Sequence, residues 1–183
     1  DLRTVIADSV DAIRPAADAK GILVQTVLAS PGGPVSGHPD RLRQVVWNLL
    51  SNAVKFTPKS GRVQIQLPRV DSHVDIVVSD TGAGIAPAFL PFVFDRFRQG
   101  DSSSTRPRGG LGLGLALVPR LVVLDRGPVL PASPGEARGA TFVVKLPLML
   151  AAIVEPTVPA SASAPEWPGP TAATPSLEGV RVL

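Results

Sequence analysis

The amino-acid sequence predicts an α+β domain with a short appendage. Three stretches repeat apolar residues three and four apart, as amphipathic helices do, and several shorter runs alternate apolar with polar residues, as half-buried strands do. The 183 residues are 44% hydrophobic and 18% charged, with a mean hydropathy of +0.24, so one sizeable core is expected. Beyond about Leu150, six prolines among alanine, serine and threonine predict an unpacked linker.

The helical spacing predicts three helices in this domain. They are Asp1–Lys20, a second from about Asp40 to Thr57-Pro58, and a third that opens at Gly109–Gly114. Asp40 is the expected N-cap of the second helix, because its carboxylate can accept from free backbone N–H groups. Pro15 predicts a bend or break near the end of the first helix, and Pro119 a kink or early stop in the third.

Five runs with strand character separate or follow these helices. They are Ile22–Leu28, Arg62–Leu67, His73–Ser79, Val129–Pro131 and Thr141–Leu146. The second and third runs alternate cleanly and are joined by a short polar link, so they are expected to be adjacent antiparallel strands with one buried face.

Composition excludes several classes of protein. Without cysteine there is no disulfide scaffold, thiolate zinc site or cysteine nucleophile. The net charge of +3 and pI near 9.9 come without a basic run interleaved with aromatics, which argues against nucleic-acid binding. No apolar run approaches the roughly 18 residues of a membrane helix, so no direct membrane insertion is expected. The chain begins at Asp1 without a signal pattern and looks like a segment of a larger protein.

The second helix carries a polar face formed by Asn48, Asn52 and Lys55. These residues lie four and three apart and therefore share the side opposite the apolar stripe. A neutral amide oxygen can ligate Mg²⁺, and a lysine supplies a point charge for phosphate. The alternative is an ordinary solvated face of a packed helix.

Two glycine-containing segments complete the set that can bind a nucleotide. Asp80 ends a strand beside Gly82 and Gly84, where it can accept a hydrogen bond from an exocyclic amine; an ordinary turn is the alternative. Gly110–Gly114 opens a helix, so its backbone N–H groups can face a phosphate. This segment matches neither the dinucleotide fingerprint nor the P-loop. The aromatic segment Phe92–Arg98 between them is expected to supply core contacts or a plug under a mobile loop.

In this order and spacing, the four segments resemble the N, G1, F and G2 boxes of the ATP-binding catalytic domain of sensor histidine kinases. This domain belongs to the larger GHKL group, which includes the Hsp90, DNA gyrase and MutL ATPases. The resemblance covers about Asp1 to Leu148, and the runs NLLSNAVKFTP and FDRFRQ favour the kinase branch. It implies a two-layer α/β sandwich with a mixed sheet and helices on one face, the Bergerat ATP-binding fold. ATP would lie between the helices and a lid formed by Gly100–Arg108.

The resemblance also implies a role for each site residue. Asn52 would ligate Mg²⁺, with Asn48 and Lys55 at the phosphates, and Asp80 would bind the adenine amino group. Gly82 and Gly84 would shape the base pocket, and Gly110, Gly112 and Gly114 would close over the phosphates. The other residues implied to bind ATP are Ile85, Phe97, Leu111 and Leu113.

The implied reaction is transfer of the γ-phosphoryl group of ATP to a histidine on a separate dimerisation domain. Neither His38 nor His73 is expected to be that acceptor. The expected organisation is a catalytic domain over 1–149, a linker over 150–176, and the first strand of a receiver domain over 177–183. The parent would then be a hybrid histidine kinase in the cytoplasm, membrane-anchored or soluble, acting on its fused receiver domain or on a response regulator.

Two alternatives remain at this level. Pro119 enters the last helix, and Leu124–Pro128 replaces the Leu-His-Gly-Gly turn usual in relatives, which would suit a nucleotide-sensing pseudokinase or scaffolding module. A GHKL-type ATPase is disfavoured, because Asn48 occupies the position of its water-activating glutamate and an amide is not a general base.

Overall fold

The computed structural model describes residues 1–28, 35, 37–98, 113–125 and 127–149. The predicted lid Gly100–Arg108, linker 150–176 and receiver-like strand 177–183 lie outside the described residues.

The described chain alternates helices and strands as the sequence predicted. In order, its elements are α1 (Leu2–Asp18), β1 (Leu23–Val27), α2 (Pro39–Phe56), β2 (Arg62–Gln66), β3 (Arg69–Val70), β4 (His73–Asp80), a 3-10 turn (Leu90–Phe92), α3 (Gly114–Leu124), β5 (Val129–Ala132) and β6 (Thr141–Pro147). None of the helices in this part of the chain is long and apolar enough to cross a bilayer. Pro15 lies within α1 without ending it.

The strands form one mixed sheet in the order β1-β2-β4-β6-β5, and the short β3 also pairs with β4. The β1–β2 pair is parallel and the other pairs are antiparallel, as predicted for Arg62–Leu67 and His73–Ser79. The register places Val63 opposite Asp80 and Ser79 opposite Thr141. The carboxyl end of β4 therefore lies between the start of β2 and the start of β6.

The helices form a layer on one face of this sheet. Helix α2 packs against both α1 and α3, and it also contacts β4. Alternate residues of β4 and β6 turn inward and are buried with the apolar stripe of α2: Val74, Ile76, Val78, Phe142, Val144, Leu146, Leu42, Val45, Val46, Leu49, Leu50, Ala53 and Val54. This arrangement confirms the two-layer α/β sandwich.

The start of α2 differs from the prediction. Asp40 is not the N-cap; His38 occupies that position in an extended conformation and its side chain makes no capping hydrogen bond. The reason is Pro39, whose fixed φ suits the first helical position and which disfavours helical backbone at the preceding residue. Asp40 lies instead in the first turn, where it accepts from Arg43 at 2.6 Å.

Of the kink or early stop predicted at Pro119, the early stop does not occur. Helix α3 continues through Pro119 to Leu124. Val118 and Val122, on either side of the proline, are fully buried. The free energy gained by burying these side chains offsets part of the cost of the backbone hydrogen bond that Pro119 cannot form.

An ion pair joins the end of α3 to the start of α2. Asp125, the C-cap of α3, is almost fully buried and accepts from Arg41 Nη2 at 2.7 Å. The same oxygen of Asp125 also accepts from the backbone N–H of His38 at 3.4 Å. Asp125 thus supplies a carboxylate that connects the end of α3 to the start of α2.

Candidate functional site

The polar face of α2 forms one wall of the candidate site. Its apolar face is buried, whereas Asn48 and Asn52 are half-buried and Lys55 is exposed, so the predicted division of the helix is confirmed. Lys55 Nζ lies 4.9 Å from the ring centroid of Phe56. By helical spacing, Asn48, Asn52 and Lys55 lie on the same side of α2 over about two turns.

Asn48 faces the beginning of α3. A Cβ atom added to Gly114, the first residue of α3, would lie 3.5 Å from Asn48 Oδ1. Asn48 Nδ2 is buried and has no hydrogen-bond partner in the part of the chain that the structure describes. Leu113 precedes Gly114 as an N-cap whose side chain forms no capping hydrogen bond. The helix start that was predicted to face phosphate thus adjoins an amide with unused hydrogen-bonding capacity.

Asp80 lies at the carboxyl end of β4 with its carboxylate oriented by two backbone groups. Its Oδ1 accepts from the N–H of Gly82 at 2.8 Å and from the N–H of Ala140 at 3.3 Å. Burial raises the pKa of Asp80 above its ordinary value, while the hydrogen bonds from Gly82 and Ala140 oppose that shift. With both N–H groups on one oxygen, the second oxygen remains as an acceptor for a ligand.

The loop that contains Gly82 and Gly84 is fastened to the end of α2. Ala83 N–H donates to Phe56 O at 3.2 Å, and a Cβ on Gly82 would lie 2.7 Å from the same carbonyl oxygen. Gly84 has a φ of +69°, and a Cβ there would collide with the backbone of Gly135. Both positions therefore require glycine, as a close approach of backbone segments does.

Sequence reasoning missed Ser133, which connects three segments at this end of the sheet. Its Oγ accepts from the N–H groups of Ile85 at 3.0 Å and Gly135 at 3.3 Å, and donates to Gly139 O at 2.7 Å. The Ser-Pro-Gly turn signal was visible in the sequence, but the contact with Ile85 was not. Ser133 holds the loop after Asp80 against the β5–β6 turn.

Thr141 is a second residue near Asp80 that the sequence did not single out. Its hydroxyl lies 3.0 Å from the hydroxyl of Ser79 across the β4–β6 pair. The signal was its place after Gly139 and Ala140 at the start of the closing strand. Because Ser79 and Asp80 are consecutive in β4, this hydroxyl pair joins β4 to β6 on the face of the sheet opposite the Asp80 carboxylate.

The aromatic segment divides between core and surface. Phe94 packs edge-to-face on Phe142 with centroids 6.1 Å apart, which confirms the expected core contact. Phe97, a predicted ATP-binding residue, has a φ of +60° and is 71% exposed. Ile85 is buried in the loop after Asp80. Among the remaining predicted residues, Gly110, Leu111 and Gly112 lie outside the described residues.

The donor set fits a magnesium ion that is held mainly by its ligand and water. No group of three or more histidine and carboxylate side chains within the described ranges is arranged to hold a metal. Mg²⁺ commonly keeps several waters and takes few protein oxygens alongside phosphate. The amide oxygen of Asn52 suits that role, and Asn48 adds a buried donor, Nδ2, that has no partner in the described part of the chain.

The raised pKa of Asp80 predicts a pH dependence of stability. The folded protein binds this proton more tightly than the unfolded chain, whose pKa is near 3.8. The free energy of unfolding should therefore fall, relative to that of Asp80→Asn, as pH rises from 3.8 through the folded-state pKa, and then level off. Urea unfolding of both proteins across this range tests the sign, and a difference that moves the other way would contradict it.

Residues 37–150 match the protein-family model of the histidine kinase-, DNA gyrase B-, and HSP90-like ATPases. The match includes α2, the Asp80 loop and α3, which are the elements that form the candidate site.

The individual relatives matched by sequence similarity are histidine kinases. The chain is 36% identical over 180 residues to the hybrid signal transduction histidine kinase D of Dictyostelium discoideum, covering 81% of this chain and 12% of that protein. It spans less than half of the length of the curated relatives it matches.

Two solved structures of histidine kinases share the fold. The mycobacterial sensor histidine kinase MprB superposes with a TM-score of 0.71 at 31% identity, over 80% of this chain and 95% of that one. Full-length ShkA in complex with AMPPNP also gives a TM-score of 0.71, at 32% identity, over 82% of this chain and 31% of that one.

Proposed function

Since the chain belongs to the family of histidine kinase-, DNA gyrase B-, and HSP90-like ATPases and is a catalytic domain of the sensor histidine kinase type, we propose that it binds Mg-ATP between α2, the Asp80 loop and α3. Its reaction would be transfer of the γ-phosphoryl group to a histidine on a separate dimerisation domain. The observation that carries the proposal is the junction of α2 with the other two elements, through Phe56 and Ala83 at one end and Asn48 and Gly114 at the other.

The length of this wall suits an extended nucleotide. Asn48 and Phe56 are eight residues apart on one helix, which corresponds to about 12 Å at the rise of an α-helix. Asp80 and its loop adjoin the Phe56 end, whereas the start of α3 adjoins the Asn48 end. The base would therefore bind beside Asp80 and the phosphates beside Asn48, Asn52 and the α3 start, where helix N–H groups favour an anion.

Each residue has a distinct part in this proposal. Asp80 accepts from the adenine amino group with the oxygen that its backbone donors leave available. Asn52 would hold Mg²⁺, and Asn48 and Lys55 would donate to phosphate oxygens. The metal supplies charge neutralisation at the phosphates, and the side chains and helix start hold them in place, which is how phosphoryl transfer is mainly promoted.

The partners follow from the proposed reaction. The phosphoryl acceptor is a histidine-bearing dimerisation domain of the parent kinase, and the next acceptor is a response regulator or a fused receiver domain, in the cytoplasm. Three parts of the proposal rest on the sequence resemblance alone. They are the lid Gly100–Arg108, the glycines 110 and 112, and the receiver-like strand 177–183. The alternative, a nucleotide-sensing or scaffolding module without efficient transfer, rests on Pro119 and on Leu124–Pro128. Helix α3 continues past Pro119, and transfer to an added histidine domain separates the two functions.

Calorimetric titration with ATP, with and without Mg²⁺, tests the proposed site. Asn52→Ala should weaken binding by about 10- to 100-fold in the presence of Mg²⁺, which is the effect of losing one strong polar contact to a charged ligand, and much less when EDTA is present. Gln44→Ala is the matched control, because it removes an exposed amide from the same helix. Equal affinities of wild type and Asn52→Ala in Mg²⁺ would contradict the role of Asn52. Transfer to an added histidine domain tests the reaction itself.

A further inference from the structure

Lys20 reaches from the turn after α1 to the end of α2. Its Nζ donates to three backbone carbonyl groups, at 2.6 Å to Val54, 3.0 Å to Lys55 and 2.7 Å to Thr57. A lysine ammonium has three N–H donors and no acceptor, so this geometry matches its full donor capacity. The backbone carbonyl of Lys20 also accepts from Ser60 N–H at 3.1 Å, which ties the α2–β2 turn to the same residue.

These bonds give hydrogen-bond partners to the carbonyl groups at the carboxyl end of α2. The last four carbonyls of an α-helix have no partner within the helix. Here Ala53 O accepts from the N–H and hydroxyl groups of Thr57, and Phe56 O accepts from Ala83. Lys20 supplies the partner for the two that remain, those of Val54 and Lys55. Its positive charge also complements the negative end of the helix dipole.

We propose that Lys20 is a positioning residue of the nucleotide site. The turn that it holds carries Lys55 and follows Asn52, and the same turn is joined through Phe56 to the loop of Asp80. Lys20 thereby sets where the phosphate-side groups of α2 lie relative to the adenine-side carboxylate, without contacting the nucleotide. This inference rests on the proposed function, because it concerns the same site.

The test compares Lys20→Met with Lys20→Arg and with Lys59→Met as a control. Lys59 is an exposed lysine two residues after Thr57, so its substitution removes the same charge from the same region. Lys20→Met should weaken Mg-ATP binding about tenfold, as loss of a charge-assisted hydrogen-bond set does, and should speed amide exchange at Thr57 and Ala83 in the nucleotide-free protein. Lys20→Arg should recover most of the affinity, and Lys59→Met should bind as the wild type does.

A double-mutant cycle separates positioning from general stability. If Lys20 acts through the turn next to Asn52, Lys20→Met should weaken Mg-ATP binding less in the Asn52→Ala background than in the wild type. If Lys20→Met does not fold, the same comparison uses Lys20→Gln, which keeps two N–H donors but no charge.

The outcomes are distinguishable. Folded Lys20 variants with lower stability but wild-type affinity for Mg-ATP would assign Lys20 a structural role only and overturn the inference. Equal effects of Lys20→Met with and without Asn52 would also overturn it. If the wild-type chain itself fails to bind ATP, the proposed function fails and the inference fails with it, whereas a failure of Lys20 alone leaves ATP binding by the wild type intact.

Discussion

Replacing Asp80 with asparagine should weaken ATP binding by about 10- to 100-fold while leaving the domain folded. Asparagine keeps one oxygen to accept from the N–H groups of Gly82 and Ala140, so the loop retains its geometry. The other oxygen becomes an NH₂ group, which would face the amino group of adenine with a donor instead of an acceptor. The loss therefore reports base recognition and not unfolding.

Calorimetry with Mg-ATP and Mg-ITP measures this effect. Inosine carries an oxygen where adenine carries the amino group, so Asp80→Asn should lose the preference for ATP as well as affinity. Asp75→Asn is the matched control, since Asp75 lies in the same strand five residues earlier and thus on the opposite face of the sheet. Unchanged ATP affinity in Asp80→Asn, or an equal loss in Asp75→Asn, would contradict the assignment.

The second large effect is expected at Arg41. Arg41→Met removes the cation beside the buried carboxylate of Asp125 and should lower the free energy of unfolding by about 3 kcal/mol, because breaking one side of a buried pair leaves an uncompensated charge. Arg43→Met provides the comparison within the same helix. Arg43 pairs with Asp40 and Asp8 at the surface, where ion pairs contribute less than about 1 kcal/mol.

Urea unfolding of the two variants gives the comparison directly. Arg41→Met with Asp125→Asn should regain part of the lost stability, because a neutral amide costs less to bury than an unpaired carboxylate. If Arg41→Met is no less stable than Arg43→Met, the ion pair does not fasten α3 to α2. Because Asp125 ends the helix whose other end adjoins Asn48, the double variant also shows whether nucleotide binding depends on this fastening.

Local patterns predicted the elements that they determine. The apolar stripe of α2 and the alternation in β2 and β4 were sufficient to place both elements and their buried faces. Two local predictions were wrong because a neighbouring effect was stronger. Pro39 displaced Asp40 from the N-cap, and burial of the valines around Pro119 kept α3 intact.

Local sequence patterns could not predict contacts between residues that are distant in the chain. Asp80 and the glycines of its loop were predicted because they are neighbours in sequence. Three other contacts join residues that are 34 to 60 positions apart in the sequence. They are made by the backbone N–H of Ala140, the hydroxyl of Ser133 and the ammonium of Lys20. No spacing rule encodes such pairs, since they depend on strand register and on how the turns meet.

The bond between Ala140 and Asp80 links ligand binding to completion of the fold. The donor belongs to the segment that leads into β6, so the carboxylate acquires the second of its two orienting hydrogen bonds only after the last strand has docked. A partly folded chain that lacks β6 has an incomplete site, so nucleotide bound as proposed would favour the complete native state by mass action. At a free nucleotide concentration of 100 times Kd, this linkage adds about 2.7 kcal/mol to the free energy of unfolding. The nucleotide would thus stabilise the fold in addition to its proposed part in phosphoryl transfer.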